Sequence, residues 1–330
     1  MRSAEQRLSI LGGGIVAASG LLWMVPAINS VAAIAGIVAL ILILSRLGYA
    51  RTFFFASVGL ILAILLGSLT TGYPEGLYIG LFYALFVVAP AVLIGWASRK
   101  LHNPHIAVCY GLIPYGILFM LFTSVYVGLM RNPNMLIENL SNDIEKVVNS
   151  NPDLMNLIKQ NYGSDDNAVA TFLKELGAFL EETLKLLPGF IAALMLGIAV
   201  FSLAIAGYIA ERMGIIISRF KPFHRWKASG WWLLPTIAGL IPVVFRMNEL
   251  WFYVGINILI VTGHVYMIVG LAIVEAFFKR ALMQTPIKVI FYIILILAGP
   301  ISMVFLAILG LSDTKFDFKR EIEEFENENS

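Results

Sequence analysis

The chain has 330 residues, 59% hydrophobic and 13% charged, with a mean hydropathy of +0.84 and a formal charge of +2. That balance excludes a soluble globular domain, leaves too little positive charge for a nucleic-acid partner, and indicates an integral membrane protein. Cys109 is the single cysteine, which excludes a disulfide framework and a thiolate metal site.

A transmembrane helix needs about 20 mostly apolar residues. Nine candidate spans follow in chain order, near 9–25, 29–45, 52–70, 77–97, 106–129, 189–210, 231–245, 251–278 and 288–311. The fold class expected is therefore all-α, a polytopic bundle. The opening "MRSAEQRLSILGGGIVAASG" has the basic start and apolar core of a signal peptide, but a second span follows almost at once, so it reads as an uncleaved helix. Its "GGGIVA" matches G-x-G-x-x-A without the preceding strand that a dinucleotide site requires. Close helix packing with Ala35 and Ala39 is the better reading.

Tyr83 and Tyr115 lie deep in the fourth and fifth spans, near Pro90 and Pro114. They read either as part of a small-solute pocket or as kinked helix packing in which the hydroxyls find internal partners.

Residues 131–188 form the one long polar insertion, with five basic and nine acidic side chains. Leu136, Leu140, Ile144 and Val147 recur at helical spacing, as do Val169, Phe172, Leu176, Phe179 and Leu187, with Ser164 and Asp165 as candidate N-caps. A pair of amphipathic helices is expected, resting on the outer face of the bundle or, with Gly163 and Gly177 nearby, closing over a cavity as a lid.

The seventh span is short, begins at Trp231 and Trp232, and contains Pro235 and Pro242, which suits a kinked or re-entrant segment. In the eighth, Asn257, His264 and Glu275 are spaced by nearly whole helical turns and share one face. Polar groups at that depth mark a pathway or binding site, or join helices by hydrogen bonds, with His264 the deepest. Glu275 stands four residues from Lys279, in ion-pairing register. Before this helix, "RFKPFHRWKASGWW" interleaves Arg219, Lys221, Arg225 and Lys227 with Phe220, Phe223 and Trp226, which suits anionic headgroups or a cytosolic partner.

Counting Lys and Arg in alternate loops gives fourteen on one side, whereas the short opposite loops carry only Arg246. The N-terminus is accordingly expected in the cytoplasm and the 131–188 insertion outside it. Nine spans would leave the C-terminus outside, against the basic character of "KFDFKR"; a break at "LAGP" would return it. Neither a P-loop nor H-E-x-x-H nor G-x-S-x-G occurs, and His102 and His105 flanking Pro104 are too few for a metal site. No cofactor, metal or enzymatic role is expected.

"PFHRW" at 222–226, the Asn257 helix and the closing "LGLSDTKFDFKR" together resemble the YybS-like family of bacterial membrane proteins, domain of unknown function 2232. Here Ala228, Ser229 and Gly230 follow the tryptophan where that family has an earlier proline, and Lys319 stands where arginine is frequent. The family is in turn similar to the S components of energy-coupling-factor transporters, six-helix bundles that capture small molecules with a coupling subunit and cytosolic ATPases. The resemblance implies a six-span bundle over 1–210; three further spans over 211–311 and a polar acidic tail over 312–330 are extra to that plan. The expected role is small-solute binding or uptake at the bacterial inner membrane, with Asn257, His264, Glu275, Tyr83 and Tyr115 as candidate contacts. The alternative is a scaffold or assembly factor docking a cytosolic partner at the basic-aromatic loop.

Overall fold

A computed structural model describes residues 2–23, 25, 28–130, 143–144, 146–148, 150–162 and 168–318. The expected positions Leu136, Leu140, Gly163, Ser164, Asp165 and Lys319 lie outside the described residues. Helix is the only regular structure among the described residues, without strands, as the apolar runs require. Its helices are α1 (Arg2–Leu22), α2 (Asn29–Leu47), α3 (Tyr49–Thr71), α4 (Tyr73–Tyr83), α5 (Ala89–Lys100) and α6 (Pro104–Met130), followed by α7 (Pro152–Tyr162) and α8 (Ala168–Arg212). Four more complete the order: α9 (Leu233–Val244), α10 (Glu249–Arg280), α11 (Thr285–Leu297) and α12 (Pro300–Phe316).

Five segments are long and apolar enough to cross a membrane, six if the bent pair α11–α12 counts as one, against the nine expected. Every expected segment is helical, but length and charge separate them. α9 has 12 residues, about 18 Å, which falls short of a bilayer's hydrocarbon thickness. The described apolar part of α6 runs Pro104–Met120, and α1 opens on Arg2, Glu5 and Arg7.

The chain divides into two compact units. One comprises Met1–Leu118, Ala192–Trp232 and Thr262–Ser330; the other, Phe119–Ile191 and Leu233–Val261. In the first, α1 and α3 run parallel, since Gly13 meets the Phe55 ring and Gly20 the Gly59 carbonyl. A side chain at Gly20 would strike backbone, and in the run at 12–14 a Cβ on Gly12 would meet Ile43 and one on Gly13 the Phe55 ring, whereas Gly14 meets nothing within 4 Å. α2 fills the centre of this unit: Ile37, Leu40, Ile41, Ile43 and Leu44 are fully buried.

α4 and α5 form one continuous helical run through a π-turn at Ala84–Val88. Pro90 has no N–H to offer the Phe86 carbonyl four residues earlier. Tyr115 Oη on α6 donates to that carbonyl instead, at 2.9 Å.

In the second unit the expected amphipathic segment opens the same helix that goes on to carry the sixth span. α8 has 45 residues, about 68 Å, and runs through Pro188 rather than stopping at it. Its first turns carry Val169 and Phe172 against Ile144, Val148, Leu154, Met155 and Ile158, a small apolar core under α7. Tyr162, at the end of α7, hydrogen-bonds Glu175, which raises its phenol above the ordinary value.

The chain turns between α11 and α12 by 112°. Pro300 disfavours helical backbone in the residue before it, and Gly299 takes φ 55° there. Ser302 Oγ donates to the Leu295 and Gly299 carbonyls at 2.6 and 2.7 Å, covering acceptors that the break exposes.

Candidate functional site

α10 is uninterrupted from Glu249 to Arg280, so Asn257, His264 and Glu275 keep the register expected of them. Their surroundings differ. Asn257 faces the proline of α8. Pro188 prevents the local helix from closing normally, and the Asn257 carboxamide occupies the gap. Its Oδ1 accepts from the Gly189 N–H at 2.5 Å, while Nδ2 donates to the Lys185 and Tyr253 carbonyls at 2.8 Å each. One amide thus bridges the donor and acceptor that would bond each other in an unbroken helix. Glycine is needed at 189 because a Cβ there would lie 2.7 Å from Oδ1.

Beside this join, Lys185 gathers charge. Its Nζ lies 2.7 Å from Glu249, 3.0 Å from Glu181 and 3.5 Å from Glu182, and 5.0 Å from the centre of the Tyr253 ring. The Tyr253 hydroxyl donates to Glu182. Sequence reasoning passed over Lys185, although two acidic residues three and four positions before it were visible signals.

His264 is half-buried in the other unit, near the middle of α10. Its Nε2 faces Gly197 of α8, where a Cβ would stand 3.5 Å away. Among the described residues its ring makes no hydrogen bond.

Glu275 is bonded to the following helix. Lys288 Nζ lies 3.0 Å from Oε1 and Tyr292 Oη donates to Oε2 at 2.6 Å, beside an aromatic group of Phe278, Phe291 and Tyr292. The sequence reading looked along α10 to Lys279; the structure adds partners from α11, while Lys279 Nζ lies 3.3 Å from His224 of the basic-aromatic loop.

That loop is held internally. Trp226 Nε1 donates to the Lys221 carbonyl at 2.7 Å, and its ring packs on Phe220 and Phe223. Arg219 pairs with Glu211, and Lys227 Nζ lies 2.7 Å from Asp317 Oδ1 after α12. The "PFHRW" stretch and the closing "SDTKFD" stretch are therefore neighbours, and whichever side of the membrane carries the loop also carries Asp317. Arg225 is half-buried and Lys221 exposed.

Tyr83 is fully buried, its hydroxyl 2.7 Å from Ser19 Oγ, and Tyr115 is 2% exposed and bonded to Phe86. Trp23, Phe86 and the two tyrosines stack as one aromatic group. The structure thus brings these two together. Among the described residues no three His, Cys, Asp or Glu side chains converge to ligate a metal.

These observations define a polytopic, all-helical membrane protein. A family described as "Predicted membrane protein (DUF2232)" matches residues 14–314, and the chain belongs to that family. No curated protein and no solved structure matches the chain.

Proposed function

We propose that the chain is a non-catalytic binding protein for a small solute, working in the manner of an S component, with His264 as its deepest contact. The observation that carries this reading is an imidazole near mid-helix, facing a glycine and without a hydrogen bond among the described residues. A polar ring at that depth is costly unless a ligand or water completes it. Asn257, Glu275, Tyr83 and Tyr115 each hold their own helices by hydrogen bonds. The affinity with the YybS-like group and with S components belongs to the same proposal, as do a coupling subunit and cytosolic ATPases as partners. Residence in the bacterial inner membrane with a cytoplasmic N-terminus rests on the charge asymmetry and on the parallel run of α1 and α3.

Native mass spectrometry of the mildly solubilised protein tests the reading. A discrete small molecule that stabilises the protein, and whose effect His264→Leu abolishes, would support it. Unchanged ligand affinity in that variant would remove His264 from the site.

A scaffold is the second reading, favoured by the internal bracing of the 219–227 loop by Trp226 and Lys227. In that case a cytosolic protein should co-purify and be lost on Trp226→Ala, with no small molecule retained.

A further inference from the structure

At the shared end of α1 and α3, Glu5, Gln6, Ser9 and Arg51 line a recess of about 400 Å³. Gly13, one turn below Ser9, lets the Phe55 ring of α3 close against α1, so the opening is a mouth above a packed helix pair. Arg51 is exposed and makes no ion pair or hydrogen bond among the described residues, whereas Glu5 reaches Arg46 only at 3.9 Å. The mouth therefore offers a guanidinium without an ion pair among the described residues, a carboxylate that Arg46 approaches only at the edge of ion-pairing range, an amide and a hydroxyl. One turn further along each helix, on the flanks of the same pair, Ile10 is 73% exposed and Phe54 64%.

We propose that this recess binds the headgroup of a zwitterionic phosphoglyceride carrying a primary amine. Arg51 takes the phosphate through its planar fork and Glu5 the ammonium, with Gln6 and Ser9 as neutral partners. The acyl chains lie along Ile10 and Phe54. The ammonium contact selects this lipid over an anionic one, because a headgroup that has no amine leaves the Glu5 carboxylate without that partner. A lipid rather than a soluble zwitterion follows from the apolar surface that continues from the mouth.

The test is native mass spectrometry of the full, delipidated chain titrated with phosphatidylethanolamine and phosphatidylglycerol of identical acyl chains. The wild type should retain one phosphatidylethanolamine about five-fold more strongly, as loss of about 1 kcal/mol per interfacial charge implies. Arg51→Ala and Glu5→Gln should each erase the preference, and Arg51→Lys should keep most of it. Far-UV circular dichroism confirms that each variant is folded; should Arg51→Ala fail to fold, Glu5→Gln alone decides. Equal retention of both lipids by the wild type would overturn the proposal, as would undiminished preference in the variants. Displacement by soluble phosphoethanolamine would also overturn it, and would assign the recess to a water-soluble zwitterion.

Discussion

The Asn257 carboxamide and the His264 ring are seven positions apart on one helix and face opposite energetic situations. Asn257→Leu strands the Gly189 N–H and the Lys185 carbonyl, and each stranded backbone group costs about 1–3 kcal/mol. The expected outcome is a marked drop in the thermal midpoint of the detergent-solubilised protein. Adding Pro188→Ala should recover part of it, because α8 can then close its own bond. His264→Leu removes no hydrogen bond among the described residues, so in the absence of ligand its midpoint should change little or rise. Helical spacing alone made both side chains visible as a row. It did not tell them apart, because what distinguishes them is Pro188 and Gly189 against Gly197, all on a helix far away in sequence.

Tyr115 and Pro90 show the same dependence between whole helices. Tyr115→Phe should destabilise by about 1 kcal/mol, the ordinary net worth of one hydrogen bond. Combining it with Pro90→Ala should be less costly than the sum, since an N–H at position 90 can serve Phe86 again; a double-mutant cycle on thermal midpoints reads this. The α11–α12 turn is fastened differently, by Glu275 to Lys288 and Tyr292. Lys288→Met leaves that carboxylate short of its cation, and hydrogen exchange across Thr285–Leu297 should quicken while exchange in α2 stays unchanged. "LAGP" was legible as a break point because Gly-Pro chemistry is local. The fastening was not, since α10 supplies its other half.

Across the chain, hydropathy placed a helix at every expected span, as runs of about 20 apolar residues in lipid allow little else. Five or six described segments reach a crossing length against the nine expected, and two of the differences were legible beforehand: α9 is about 18 Å long, and α11 and α12 meet at 112° where "LAGP" offered a break. Hydropathy also divided α8 at Pro188, where a partner side chain keeps the helix continuous. The pairing of Lys227 with Asp317 gives a direct check on the return of the chain end. On a Cys109→Ser background, Lys227→Cys with Asp317→Cys should form a disulfide under mild oxidation, and single cysteines at 221 and 318 should label from the same face of sealed vesicles. Labelling from opposite faces would refute the shared side.

The join at Pro188 also has a history in time. Asn257 follows Gly189 by 68 residues. At a synthesis rate of roughly 5–20 residues per second, α8 exists for about 3–14 s before its partner amide has been made. Through that interval the nascent chain carries an open donor and an open acceptor at its bend. Water, lipid headgroups or the insertion machinery must occupy them, and the arrival of α10 displaces whatever has stood in.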